Sequence, residues 1–181
     1  MNPLKTDRLI LRNFQRSDAA DLLAYLHQPS ASCFIGLQLA DITAAEAEAE
    51  KRGAANDYIA VCLAATDKVI GDVFAIAEEP DTYAVGWNFN AAFTGAGYAF
   101  EAARAIFQHL FCEGNARRVY AYVEDHNKAS RRLCERLGMR QEGLFLEFIS
   151  FRSDAAGQPI YENTMQFAML RKEWALAAPS T

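Results

Sequence analysis

Between Tyr83 and Phe111 the chain changes the period of its hydrophobic pattern, and few architectures can hold that change. Tyr83 to Phe89 reads as a strand. From Tyr98 to Phe111 apolar residues recur at Tyr98, Ala102, Ala105, Ile106 and Leu110, with Glu101, Arg104 and Gln108 elsewhere on the wheel, which predicts an amphipathic helix. Thr94-Gly95-Ala96-Gly97 lies between them. A strand that runs through a glycine-bearing loop into a helix places the chain among mixed α/β folds. The junction also carries chemistry. The first N–H groups of a helix lack intrahelical partners and sit at the positive end of its dipole, so they suit a phosphate, and glycine lets the backbone approach closely. A pyrophosphate-bearing cofactor is the natural candidate, although two glycines alone more often merely make a tight turn. A Rossmann dinucleotide site is a poor alternative, because Phe100 stands at the third glycine position and no glycine-rich turn follows the first strand.

Further strand-like runs fall at Arg8 to Asn13, Tyr58 to Ala65, Val69 to Ala77, Arg117 to Glu124, Leu144 to Phe151 and Ile160 to Leu170. Ser17 is a candidate cap for a helix reaching His27, and Thr43-Ala44-Ala45-Glu46 reads as a capping box opening an Ala/Glu-rich helix. Gly114 is placed to end the central helix. Another helix starts at Asn127, shows Arg131, Arg132 and Glu135 outward, and stops at Gly138. The order is strand, helices, three strands, helix, strand, helix, two strands, without internal repeat or linker.

With 181 residues, one domain over residues 1–174 is expected, followed by a frayed tail from Ala175 to Thr181. No apolar run approaches the roughly 20 residues that span a bilayer, and the first eight residues lack the apolar stretch of a secretion signal. A cytoplasmic protein with no membrane partner is expected. Cys33, Cys62, Cys112 and Cys134 are widely spaced and read as reduced thiols, with no metal-ligand spacing. The formal net charge of -5 argues against a nucleic-acid surface and suits a cationic substrate.

Taken in order, the motifs resemble the Gcn5-related N-acetyltransferases, and within them the branch that includes the ribosomal-protein N-terminal acetyltransferases. Thr6-Asp7-Arg8-Leu9-Ile10-Leu11-Arg12 looks like that family's opening strand, Val69-Ile70-Gly71 like its third and Val85-Gly86-Trp87 like its fourth. Thr94 to Ala99 aligns with its acetyl-coenzyme A loop. Asn127-Lys128-Ala129-Ser130 followed by Leu137-Gly138-Met139 resembles the branch's Asn-x-x-Ser helix and its ending, and Phe167 to Trp174 resembles the closing strand. The resemblance implies an α/β (α+β) acyl-CoA N-acyltransferase fold: a mixed, mostly antiparallel sheet of about seven strands flanked by helices and splayed between strands 4 and 5. It implies acetyl-CoA as co-substrate, no metal, and a small-molecule or peptide amine as acceptor. A homodimer is left open.

Residue by residue, the resemblance assigns Trp87, Asn88 and Phe89 to the pantetheine arm, and Thr94, Gly95, Ala96, Gly97, Tyr98 and Ala99 to the pyrophosphate. Asn127 and Arg131 join the cofactor set. Ser130 is the first candidate to assist the leaving thiolate, against a plain role in the first turn of its helix. Cys134 stands where many members carry a tyrosine acid, against a role in packing. Glu124, Asp125 and His126 are candidate bases, against a solvated turn. Three positions depart from the pattern. Thr94 stands in place of Arg or Gln, Ala96 in place of a frequent basic residue, and Ala84 in place of a strand carboxylate. Phosphate binding would then lean on backbone amides, and a degenerate member that binds acyl-CoA or serves as an interaction module without turnover is the alternative reading.

Overall fold

The computed structural model of the protein describes residues 2–29 and 31–177. Two compact units divide it: the first takes the chain as far as Ile76 together with Gly86–Ile106, the second Ala77–Val85 and the chain from Phe107. The strands are β1 (Leu4–Lys5), β2 (Leu9–Asn13), β3 (Tyr58–Leu63), β4 (Val69–Glu78), β5 (Thr82–Phe89), β6 (Arg118–Glu124), β7 (Arg140–Ser153) and β8 (Pro159–Leu170). The helices are α1 (Ala19–Leu26), α2 (Ile42–Ala55), α3 (Tyr98–Cys112), α4 (Lys128–Arg136) and α5 (Arg171–Ala177). The sheet has eight strands in the order β1-β2-β3-β4-β5-β6-β8-β7, one more than the sequence predicts, because Leu4 and Lys5 pair with Leu11 and Ile10. It is mostly antiparallel, with β5 and β6 parallel where Thr82, Tyr83 and Ala84 face Arg118, Val119 and Tyr120.

In the first unit the apolar faces of α1 and α2 (Leu22, Leu26, Ala45, Ala49) close over Ala60, Cys62 and Val69 of the sheet. The small side chains of α2 leave room for the buried Arg52, whose guanidinium reaches Asp72 at 3.1 Å while Tyr25 donates to the same carboxylate at 2.8 Å. A buried charge must be paired in this way to be tolerated.

The helix starts differ from the sequence reading. Ser17 does not cap α1; residues Arg16–Asp18 form a 3-10 turn, because the Asp18 carboxylate is held by Arg12 at 2.8 and 2.9 Å and accepts from the Gln15 amide. Thr43 does not cap α2 either. Asp41 does so, its Oδ1 accepting the Ala44 amide at 2.9 Å, and the helix therefore opens at Ile42.

In the second unit Phe111 stacks on Trp174 at 5.8 Å and Phe107 meets the same indole edge-on at 6.2 Å. Trp174 lies on α5 and not on the closing strand. β8 stops at Leu170, whose amide donates to Glu173 at 2.7 Å, and this local bond turns the backbone into a helix. α5 carries Ala175 to Ala177, and the remainder of the tail lies outside the described residues. β7 is longer than predicted and its pairing with β8 shifts register between Phe145 and Ile149, where Glu147 takes a left-handed φ of 48°.

Candidate active site

The cofactor candidates of the first unit form one continuous path. β5 ends in Trp87, Asn88 and Phe89. The Asn90 amide then donates to Ile70, and the Asn90 side chain accepts from Ala92, which starts a 3-10 turn over Ala91–Phe93. Thr94 closes that turn: its hydroxyl donates to the Ala91 carbonyl at 2.9 Å, so the residue standing in place of Arg or Gln is occupied with holding the backbone. Gly95 and Gly97 have φ of 81° and 85°, in the left-handed region that glycine alone enters without strain. The Gly97 carbonyl accepts from the Glu101 amide at 3.1 Å, which makes Gly97 the residue before the first helical turn. It has no side chain with which to cap α3. Within the same unit Asn88 is buried, and its Nδ2 has no hydrogen-bond partner.

One residue that the motif reading missed completes this region. Arg8 donates from Nη1 to the Ala96 carbonyl at 3.0 Å and from Nε to Glu101 at 2.7 Å, and its guanidinium lies 4.5 Å from the centre of the Tyr98 ring. Its Nη2 would be 3.6 Å from a Cβ on Gly97. Thr6 and the Arg8 amide also donate to Glu101, at 2.6 and 3.1 Å. Burial works to raise the Glu101 carboxyl, but these hydrogen bonds from Thr6 and Arg8 outweigh it and hold the group below the ordinary glutamate range. The loop without a basic residue of its own is therefore braced by a cation from far earlier in the chain.

In the second unit Glu124 ends β6 and Asn127 caps α4, its Oδ1 accepting the Ser130 amide at 3.1 Å. The cap uses the backbone of Ser130 and not its hydroxyl. Arg131 donates from Nη1 to the Asp125 carbonyl at 3.0 Å, while its Nε is buried without a hydrogen-bond partner. Cys134 lies one turn beyond Ser130, wholly buried, and burial pushes its thiol up to about 12. A proton held that firmly is a poor donor to a departing thiolate. Asp125 accepts from Asn163 at 2.9 Å, and His126 stands 3.7 Å from Asp125 and 3.9 Å from Glu162. Among the described residues no cluster of His, Cys, Asp or Glu is arranged to hold a metal ion, and no helix is long and apolar enough to cross a membrane.

A strand, a glycine-bearing helix start and an Asn-x-x-Ser helix follow one another in the order that the resemblance to the acetyltransferases implies, and comparison with known proteins shows the family. Residues 8–140 match the acetyltransferase (GNAT) domain, and the chain belongs to that family. It is 30% identical over 173 residues to the uncharacterized N-acetyltransferase YnaD of Bacillus subtilis, covering 94% of this chain and 98% of that protein. Its fold is similar to that of a GNAT-family acetyltransferase from Bacillus anthracis, with a TM-score of 0.84 at 25% identity over 94% and 99% of the two chains. It is also similar in fold to a ribosomal-protein-S5-alanine acetyltransferase from Vibrio fischeri, with a TM-score of 0.72 at 16% identity over 96% and 99%.

Proposed function

We propose that the protein is a cytoplasmic N-acetyltransferase that moves the acetyl group of acetyl-CoA directly to a primary amine, with residues 1–174 acting as one catalytic domain. The observation that carries this reading is the glycine loop opening α3 under the brace of Arg8. When bound, acetyl-CoA supplies a thioester, an acetyl group already activated toward an amine.

The residues present fit that group. The amides of Gly95 to Ala99 offer unspent donors at a positive helix end for the pyrophosphate. The Asn88 Nδ2 and Arg131 Nε atoms are buried donors that lack partners, as expected of groups reserved for a ligand. The backbone of Trp87, Asn88 and Phe89 would pair with the pantetheine arm, and Asn127 would add a further contact. Ser130 Oγ is assigned to donate a proton to the departing sulfur, and Glu124 to take one from the attacking ammonium. Cys134 is read as packing, since its thiol is sealed in the core.

A second reading, a coenzyme A-binding protein without turnover, draws on Thr94 and Ala96: the one hydroxyl of the loop is spent on Ala91, and Ala96 has no donor in its side chain. Thermal melting with coenzyme A and release of free thiol from acetyl-CoA over an amine panel separate the two. The enzyme raises its Tm with coenzyme A and releases thiol with at least one amine. A raised Tm without thiol release on any amine, peptide N-termini included, supports the second reading, and no change in Tm overturns both.

A further inference from the structure

Within the second unit, the end of β6 and the middle of β8 hold two polar groups with nothing to bind. Glu124 is 6% exposed and Thr164 4% exposed, and the two lie directly opposite one another on the β6–β8 ladder, so their side chains share a face. No hydrogen bond or ion pair reaches the Glu124 carboxylate among the described residues, and the Thr164 hydroxyl is buried without a partner. A second buried carboxylate on the same face, Glu162, is already neutralised by Arg152 at 3.2 Å. Among the described residues Glu124 stands in no such pair, so its carboxylate oxygens remain open to an outside ammonium, and a hydrogen bond between charged groups is the stronger kind.

Beside these groups stands an apolar wall. Phe145 is the β7 partner of Thr164, and Tyr122 precedes Glu124 by two residues, which places both on the same face. Phe148 would point away in a regular strand. The register shift with Glu147 at positive φ returns it to the rings, 5.1 Å from Phe145 and 5.7 Å from Tyr122. Asn163 pins this bulge, accepting the Glu147 amide at 2.9 Å while its own amide donates to Asp125, next to Glu124. Tyr122, Phe145 and Phe148 nevertheless remain 48%, 37% and 50% exposed. Three rings fixed by a pinned bulge and left open to solvent mark a binding surface and not a core.

We propose that this face of the sheet seats the acceptor: a primary ammonium donates to Glu124 and Thr164, and an aromatic or branched aliphatic group attached beside it packs on Tyr122, Phe145 and Phe148. The assignment rests on the acetyltransferase reading and names the substrate class for it. An apolar neighbour removes the most ring surface from water, whereas the second ammonium of a polyamine or the hydroxyls of an amino sugar keep their hydration at these half-exposed rings and bury less.

The test uses phenylalaninamide, leucinamide, glycinamide and putrescine as probes, with calorimetric titration into the coenzyme A complex and thiol release from acetyl-CoA. Phenylalaninamide and leucinamide should bind about tenfold or more tightly than glycinamide and putrescine, and the Phe145→Ala/Phe148→Ala variant should erase that preference. Glu124→Gln, which keeps the side-chain shape, should weaken all four amines by about tenfold or more. Thr164→Val, isosteric and apolar, should weaken them by a smaller factor. Wild-type protein that binds coenzyme A but takes the four probes equally, or whose amine affinity is unchanged in Glu124→Gln, overturns the acceptor site while leaving the acetyltransferase reading intact. Failure to bind coenzyme A at all overturns that reading instead, and melting of each variant separates lost binding from lost folding.

Discussion

α4 and α3 both begin beside residues with chemistry to offer, yet they close their first turns in opposite ways. α4 does so with its own sequence: the Asn127 side chain accepts the Ser130 amide. α3 is preceded by Gly97, which has nothing to cap with, and order comes from Arg8, bound to Ala96, Glu101 and the Tyr98 face. The difference teaches what each end is for. A helix that spends a side chain on its first amides gains stability locally. A helix that leaves those amides to be filled from outside suits the proposed pyrophosphate seat, and must import the rigidity it gives up.

The largest effect should come from breaking the α3 end. Gly97→Asp forces a φ of 85° on a residue with a Cβ, sets a negative charge at the proposed pyrophosphate seat, and draws the nearby Arg8 guanidinium off Ala96. Coenzyme A affinity should fall about a hundredfold, roughly 2.7 kcal/mol, by calorimetry. Unchanged affinity would remove the loop from the cofactor site.

A smaller effect, of a different kind, belongs to the pair Arg8→Ala and Asn127→Ala. Losing Arg8 should cost about tenfold in coenzyme A affinity, with less than about 1 kcal/mol of stability because its side chain is 46% exposed. Asn127→Ala should lower the denaturant-derived stability by about 1 kcal/mol through loss of the cap. Should Arg8→Ala instead destabilise the fold more than Asn127→Ala while leaving affinity alone, the contrast between an imported brace and a local cap fails.

The same contrast explains what could be read from the sequence. The α3 periodicity, the Asn127 cap and the glycine loop are local patterns, and each was legible. Arg8 was not, because it meets Ala96 and Glu101 across about ninety residues of chain and nothing near the loop announces it. Asp41 and Thr43 offer the same capping chemistry two positions apart, and the local pattern alone could not choose between them. The bulge that returns Phe148 to Phe145 and Tyr122 depends on Asn163 of the neighbouring strand, so strand alternation along β7 pointed the other way. Trp174 shows a related ambiguity, since a short apolar run after a strand fits either a longer strand or a helix until the Leu170–Glu173 bond decides it.

The smallest effect is the most specific, because the two helix starts should differ in their response to pH. The Glu101 carboxyl is held below its ordinary range, so the folded state favours the charged form more than the unfolded chain does. Its contribution is therefore fully present above the unfolded glutamate pKa of about 4.3 and is lost as pH falls through the lower folded value. Glu101→Gln keeps an oxygen for Thr6 and the Arg8 amide but removes the charge that Arg8 meets at 2.6 Å. Measured by denaturant unfolding, it should cost less than about 1 kcal/mol at pH 7, and the deficit should shrink with added salt and vanish in acid. The Asn127 cap is neutral, so the deficit of Asn127→Ala should stay level across the same range. A Glu101→Gln deficit that persists in strong acid would mean that shape rather than charge holds the start of α3, and the guanidinium would then be packing against the loop instead of bracing it.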